Sequence, residues 1–377
     1  MAIPFLNRGL DIADLLKNKS YFLFGPRQTG KTSLIKHCLP GIRSYDLLDN
    51  ALFLELSANP GRLAQEITLR DSIVVIDEIQ RLPILLNEAH RLIEEKRIHF
   101  LLTGSSARKL RSRGVNLLGG RARVKHLHPF TTEELGTYFD LTRALNAGLI
   151  PSIYFSEDPQ TDLAAYVGNY LKEEIIAESV TRNIPAFSRF LKISGQANAK
   201  IINFTKIAND AQVPRTTIYE YYEILKDTLI LRELPAFRAG VKRKPICASK
   251  YYFFDIGVSR YLQGRKSYAP RTEEFGDAFE TFIVNEVFAW SDYRGAADLS
   301  YWRSTAGQEV DLLINDHTAV EIKGKSVISP DDLRGLKAIA AECPFKRYVC
   351  LSLEQRTRRI GNIEVLPYQD FLRELWD

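Results

Sequence analysis

The run Gly25-Pro26-Arg27-Gln28-Thr29-Gly30-Lys31-Thr32, followed by Ser33, has the residue types and spacing of a phosphate cradle, G-x-x-x-x-G-K-[ST]. Glycines at 25 and 30 let backbone N–H groups turn inward around phosphate oxygens. Lys31 supplies a cation for the outer phosphates, and Thr32 offers a hydroxyl to Mg²⁺. The expected chemistry is capture of a nucleoside triphosphate. The bland alternative is a glycine-rich turn with a surface lysine, and the flanks weigh against it. Tyr21–Phe24 reads as a buried strand entering the loop, and Ser33–His37 continues it as a helix.

Two carboxylates complement the loop. Ser72–Ile76 is an apolar, largely β-branched run ending at Asp77-Glu78, as a central parallel strand should be at its carboxyl edge. Asp77 is placed to hold Mg²⁺ through water, and Glu78 to polarise the attacking water, which separates a hydrolase from a passive nucleotide binder. A further strand, Ile98–Leu102, ends in Thr103-Gly104-Ser105-Ser106, where Ser105 is the candidate sensor of the γ-phosphate or lytic water. Between these strands, Pro83–Glu95 has helical spacing of Leu85, Leu86, Ala89, Leu92 and Ile93. Residues 107–125 carry seven lysines and arginines and no acid. Arg121 is the candidate there for stabilising charge on the transferring phosphoryl group, in cis or from a neighbouring subunit of a homo-oligomer. A plain basic surface loop is the competing reading.

A different chemistry is suggested in the middle of the chain. Phe204–Tyr219 has the layout of two helices joined by a tight turn, with Thr205 as the expected first cap, Val213-Pro214 in the turn and Arg215-Thr216-Thr217 opening the second helix. In DNA readers the start of that second helix meets base edges while lysines and arginines meet phosphates. The candidate double-stranded DNA contacts are Arg215, Thr216, Thr217 and Tyr219. Strands expected at Leu229–Leu234 and Lys250–Phe254 flank a basic wing containing Lys242, Arg243 and Lys244. From 182 to 250 the chain has 13 lysines and arginines against 5 acids, so this segment is +8 while the remainder is −3. That asymmetry favours a polyanion over the alternative of a protein-docking module.

Carboxylates return near the end. A helix carrying Glu280 is followed by strands expected at Leu299–Arg303, Val310–Ile314, Thr318–Lys323 and Arg347–Leu351. Strand alternation puts Glu321 and Lys323 on one face, with Val320 and Ile322 on the other. If Asn315-Asp316-His317 forms a three-residue hairpin loop, Asp311 lies opposite Glu321, and two carboxylates meet at one Mg²⁺. Lys323 would then position the nucleophile and Glu280 complete the site. The pattern Glu280, Asp311, Glu321-x-Lys323 resembles the PD-(D/E)xK nuclease core. Another Glu-x-Lys, Glu94-Glu95-Lys96, sits in an amphipathic helix without a paired aspartate, so the tripeptide alone proves little. Retention of this fold for docking or dimerisation stays open beside cleavage.

Phe24–Thr32, Val75–Gln80, Leu102–Ser106, Gly120-Arg121 and His128-Pro129-Phe130 together resemble the prokaryotic AAA-type ATPases that carry a C-terminal nuclease-like domain. The resemblance implies ATP with Mg²⁺ as the ligand, a role connected with DNA, and an α/β architecture in four parts. These are an AAA-type parallel-sheet core over 1–130, a helical lid over 131–190, a winged helix-turn-helix over 191–265 and an α/β PD-(D/E)xK nuclease-like domain over 270–377. Two functions follow as alternatives: an ATP hydrolase acting on DNA, or a nucleotide-switched DNA- or protein-binding module whose nuclease-like domain does not cut.

Length and composition agree with such a chain. At 377 residues it fits two or three domains, and 45% hydrophobic with 26% charged residues excludes a disordered protein. No apolar run approaches the ~20 residues needed to cross a bilayer. The start, Met-Ala-Ile-Pro-Phe, lacks the features of a signal peptide, so a cytoplasmic location is expected. Cys38, Cys247, Cys343 and Cys350 lack zinc-ligand spacing and read as reduced packing residues.

Overall fold

The structure is a computed structural model that describes residues 5–68, 70–106, 108, 110, 118–171, 183–237, 248–295 and 297–377. The chain divides into two compact units, residues 1–130 with 227–230, and residues 131–226 with 231–377.

In the first unit, β1 (Ser20–Phe24) is buried along its whole length. It is joined by β2 (Arg43–Asp46), β3 (Ile73–Asp77), β4 (His99–Gly104) and β5 (Ala122–His126) in the order β2-β3-β4-β1-β5, with every pairing parallel. Parallel neighbours bring the carboxyl ends of β1, β3 and β4 to one edge, so the loop at 25–30, the pair Asp77-Glu78 and Ser105 emerge together. Helix α1 (Lys31–Cys38) starts at Lys31, with Gly30 at φ +96° before it, a conformation glycine adopts without strain. Helix α2 (Leu85–Lys96) buries Leu85, Leu86, Ala89 and Leu92, the expected apolar face. These side chains share one core with Phe22, Phe24, Val74, Ile76, Phe100 and Leu102.

The second unit opens with short helices, among them Thr132–Leu135, Leu141–Ala147, Pro151–Tyr154 and Pro159–Ala165. Helix α3 (Ile184–Gln196) runs straight through the boundary expected at 190, because Phe187, Phe190 and Leu191 bury one continuous face. Helices α4 (Phe204–Ala211) and α5 (Arg215–Asp227) flank a turn in which Gln212 is left-handed. The cap of α4 is Asn203, whose side chain accepts from the Lys206 N–H, rather than Thr205, which lies inside the helix. Strands β6 (Leu231–Leu234) and β7 (Lys250–Phe253) pair antiparallel, Leu231 opposite Phe253 and Leu234 opposite Lys250.

Helix α6 (Glu273–Arg294) leads into a six-stranded mixed sheet of β8 (Leu299–Arg303), β9 (Glu309–Ile314), β10 (Thr318–Ile322), β11 (Arg347–Ser352), β12 (Arg358–Ile360) and β13 (Ile363–Pro367). Their order is β12-β13-β11-β10-β9-β8. Asn315–His317 is the three-residue loop between β9 and β10, with Ile314 opposite Thr318 and Leu312 opposite Val320. Helices α7 (Arg334–Glu342) and α8 (Tyr368–Trp376) follow β10 and β13. The ribbon of β6 and β7 does not stand free. Beyond β6, Phe237 donates its N–H to the Tyr301 carbonyl at 2.7 Å and Tyr301 donates to the Pro235 carbonyl at 3.0 Å, so the chain continues the sheet past its β8 edge. Among the described residues, no helix is long and apolar enough to cross a membrane.

Candidate functional site

The phosphate loop is set by close backbone approach. A Cβ on Gly25 would fall 2.5 Å from the Leu127 carbonyl oxygen, so only glycine lets the loop leave β1 beside the strand-end segment. Thr29 Oγ1 donates to the Pro26 carbonyl at 2.8 Å. Arg8, which the motif gives no reason to single out, donates to the carbonyls of Thr29 and His128, each at 2.6 Å, and lies over the Phe130 ring. Arg27, Gln28, Thr32 and Ser33 are exposed around the cradle, whereas Thr29 and Lys31 are buried. The Lys31 ammonium donates to the Gly25 and Pro26 carbonyls at 2.6 and 3.1 Å, which places it inside the loop's curve.

The strand-end carboxylates meet the loop as their order in the sheet requires. Thr32 Oγ1 donates to Asp77 Oδ2 at 3.0 Å, and Thr103 Oγ1 donates to Asp77 Oδ1. Glu78 sits in the left-handed region at φ +59°, a conformation costly for a side chain other than glycine and a recurrent feature of functional sites. Burial raises its pKa above the ordinary glutamate range; the Lys31 charge opposes this and Asp77 adds to it. Gln80 Nε2 donates to Glu78 Oε2 and, at 3.3 Å, to Ser105 Oγ, so one amide ties the candidate base to the candidate sensor. A Cβ on Gly104 would lie 2.2 Å from Gln80 Oε1, so any side chain there would have to displace the Gln80 amide. Gln80 and Thr103 lie within the runs Val75–Gln80 and Leu102–Ser106 that carry the resemblance, but spacing alone gives neither a role.

Arg121 does not join this group. It precedes β5, whose first residue, Ala122, pairs with Ser20 at the start of β1, whereas the loop leaves from the far end of β1. It ion-pairs with Glu94 near the end of α2. The parallel register thus puts Arg121 at the amino edge of the sheet, away from its own chain's phosphate loop, and a role in cis is corrected.

On the helix pair, Arg215, Thr216 and Tyr219 are exposed and Thr217 is half-buried. Arg215 donates to the Tyr219 hydroxyl at 2.8 Å, and the Tyr219 ring stacks on Phe204 with centroids 4.0 Å apart. The result is a cation beside an exposed aromatic plate at the start of α5. Lys242, Arg243 and Lys244 lie outside the described residues.

The terminal carboxylates do converge. Continuing the β9/β10 register puts Asp311 opposite Glu321, and Asp311 Oδ2 accepts the Ile322 N–H at 2.8 Å. Lys323 Nζ lies 2.5 Å from Glu321 Oε1 and 3.8 Å from Asp311 Oδ2. Glu280 is reached from another direction: Tyr252 donates to Glu280 Oε1 at 2.7 Å and Lys250 Nζ to the same atom at 3.1 Å. Lys250 also lies 2.6 Å from Glu309 Oε1 and 3.8 Å from Asp311 Oδ1. Burial raises the Glu280 pKa to about 7 and lifts Glu321 well above the carboxylate range. For Lys250, burial pulls the pKa down, but the Glu280 charge and its neighbours outweigh it, and the net direction is up. A divalent metal does not fit this arrangement. The ammonium of Lys250 stands among the carboxylates a metal would need, and among the described residues no group of three or more His, Cys, Asp or Glu is disposed to hold one.

Comparison with known proteins assigns the first unit. Residues 17–136 match an AAA domain family, and the segments 138–269 and 275–371 match two domains of unknown function, DUF8612 and DUF4143. The amino-terminal segment is an AAA-type domain. Two uncharacterized proteins, from Mycobacterium bovis and Mycobacterium tuberculosis, are each 25% identical over 303 residues, covering 78% of this chain and 66% of theirs. Similar solved structures include a signal transduction ATPase with numerous domains and a tetratricopeptide repeat sensor from Pyrococcus horikoshii. It is 14% identical at a TM-score of 0.24, covering 78% of this chain and 48% of that one. Another is domain III of the Thermotoga maritima replication initiation protein DnaA, 12% identical at a TM-score of 0.24, covering 52% of this chain and 87% of that one. Within the AAA domain, the residues present suit Mg²⁺ with a triphosphate: the Thr32 hydroxyl and the Asp77 carboxylate are oxygen donors 3.0 Å apart beside a buried lysine.

Proposed function

We propose that this protein binds ATP with Mg²⁺ in the AAA domain and hydrolyses it. The observation that carries the reading is the hydrogen bond from Thr32 to Asp77, which joins the phosphate loop to the strand end that also bears Glu78. In this reading the loop N–H groups and Lys31 hold the phosphates. Mg²⁺, when bound, neutralises developing charge on them. Glu78, kept in place by Gln80, takes the proton of the attacking water, and its raised pKa moves it toward the operating range of a general base. Ser105 reports the γ-phosphate side through the same amide. The test is turnover in three forms. Lys31→Ala should lose ATP binding and hydrolysis, while Glu78→Gln should bind ATP and lose about 10²–10⁴ in rate. Wild-type turnover in either variant refutes the assignment.

The finer part of the proposal is coupling to double-stranded DNA through the start of α5, with α4 and α5 serving as a winged helix-turn-helix. The exposed Arg215 and Tyr219 support it, and so does the far end of α5: Asp227 is held by Arg108 at 2.7 Å and its carbonyl by Ser106 Oγ at 3.2 Å. Ser106 follows the candidate sensor directly, so a shift at Ser105 would reach the helix end through one residue. ATPase rate with and without duplex DNA tests this, and stimulation is expected. A homo-oligomer remains part of the proposal, since any arginine acting on the phosphates from β5's segment would have to come from another copy.

For the terminal module, a specific observation favours the non-cutting alternative over a nuclease. Lys250 fills the carboxylate cluster with a side-chain cation, which supports a module that holds DNA or protein without cleaving it. Incubation of supercoiled DNA with Mn²⁺ or Mg²⁺ should leave it intact, and nicking abolished by Asp311→Ala would reverse the choice.

A further inference from the structure

The structure assigns Lys250 as the resident cation of the terminal carboxylate site, occupying the place of a divalent metal and keeping that site metal-free. This deepens the non-cutting reading of the terminal module and is independent of the ATPase reading.

The placement is built by the backbone. Strand β7 is fixed on one side by β6, and on the other by the Ala199 N–H to the Tyr251 carbonyl at 2.9 Å and the Ile202 N–H to the Ser249 carbonyl at 3.2 Å. Alternation along β7 sends Lys250 and Tyr252 to one face, and both reach Glu280 Oε1. The lysine is only 3% exposed, so its ammonium has given up water and depends on the carboxylates around it. Glu280, Glu309 and Asp311 all lie within 3.8 Å of Nζ, and the Tyr301 ring closes another side at 5.5 Å. Four acidic side chains thus face two lysines, Lys250 and Lys323, which between them lie within 3.8 Å of all four.

A second observation marks the oxygen that the two lysines leave unsatisfied. Among the described residues Glu321 Oε2 is buried without a hydrogen-bond partner, so neither lysine satisfies that oxygen. Mg²⁺ demands several oxygens at about 2.0–2.1 Å in octahedral array. With an ammonium 3.8 Å from one Asp311 oxygen and Lys323 equally near the other, a dication would face two fixed positive charges in a buried site. Removing the Lys250 charge takes away one of these two cations and widens the carboxylate excess.

The test is Mn²⁺ binding to the full-length chain without nucleotide, counted by electron paramagnetic resonance in wild type, Lys250→Met, Asp311→Asn and the double variant. Wild type and Asp311→Asn should titrate alike. Lys250→Met, which keeps the length of the buried stem, should gain one Mn²⁺ site at least tenfold tighter than anything wild type shows there, and the double variant should lose it. An Asp311-dependent Mn²⁺ site in wild type overturns the inference, as does a folded Lys250→Met that gains none. Lys250→Gln is the second variant should methionine unfold the chain, with circular dichroism and cooperative melting as the folding check. Should neither fold, the wild-type comparison decides. Failure on these terms leaves ATP turnover untouched, whereas loss of turnover in Lys31→Ala has no bearing on Mn²⁺ at Asp311.

Discussion

Replacing Gly25 with alanine tests whether the phosphate loop is positioned by backbone contact. The added carbon would stand 2.5 Å from the Leu127 carbonyl oxygen, about 0.9 Å inside the 3.4 Å where ordinary contact begins. That oxygen belongs to backbone held in turn by the Leu127 N–H to the Phe24 carbonyl at 2.7 Å, so it cannot swing away as a side chain could. The loop must yield instead, by most of that distance. Overpacking of this kind costs about 1–3 kcal/mol, less than the 5–15 kcal/mol that holds a typical domain, so the protein should stay folded. A displacement near 1 Å at a reacting centre costs roughly 10²-fold, equivalent to about 2.7 kcal/mol of transition-state stabilisation. Steady-state ATP turnover, read beside a thermal melt, should therefore show kcat/KM down about a hundredfold. Gly61→Ala is the control, because among the described residues its Cβ meets only Asn59 Oδ1, at 3.4 Å, and its effect on stability should stay within about 0.5 kcal/mol. Wild-type turnover in folded Gly25→Ala would refute the claim that Leu127 sets the loop.

Glu286 is buried, accepts from the Thr132 N–H, the Thr132 hydroxyl and the Trp376 indole, and has its pKa raised by burial to about 7. A carboxyl whose folded pKa exceeds its unfolded one favours the fold fully below the unfolded value, and that contribution is lost as pH rises toward 7. The loss should amount to about 3 kcal/mol, and a melt from pH 4.5 to 7.5 should fall less steeply in Glu286→Gln than in wild type; equal slopes refute it. Arg215→Ala should weaken duplex DNA binding and reduce the salt slope by about one, whereas an unchanged slope points to a protein partner. Arg121→Ala should leave ATP affinity at the wild-type level by calorimetry, and a tenfold loss would contradict its placement at the amino edge.

Local patterns carried much of the architecture. The glycine spacing, the β-branched run before Asp77 and the period-2 alternation of β10 each bear on a few neighbouring residues, and the three-residue loop at 315–317 then aligned Asp311 with Glu321. What escaped were contacts made across the fold. Arg8 reaches Thr29 and His128 from a segment with no motif, and Gln80 finds Ser105 only because β3 and β4 are adjacent. Lys250 reads as the first residue of a strand beside a basic wing. Its meaning depends on β7 packing against α6 and β9, which no local periodicity reveals.

Pairing inside the unit also lowers the positive charge left for a polyanion. The segment 182–250 is +8 by composition, yet several of its cations are engaged inside the unit. Lys250 holds Glu280 and Glu309, Lys226 lies 2.6 Å from Glu233, and Arg232 lies 2.5 Å from Asp292. A buried or paired lysine releases no counterion from a polyanion, so net charge overstates the electrostatic footprint. The case for DNA therefore rests less on the sum than on the surface where Arg215, Tyr219 and Phe204 are assembled. A cation beside an aromatic plate suits phosphate and base together, and contacts there should outnumber those of a diffuse basic face only if mutation of that one cluster removes most of the affinity.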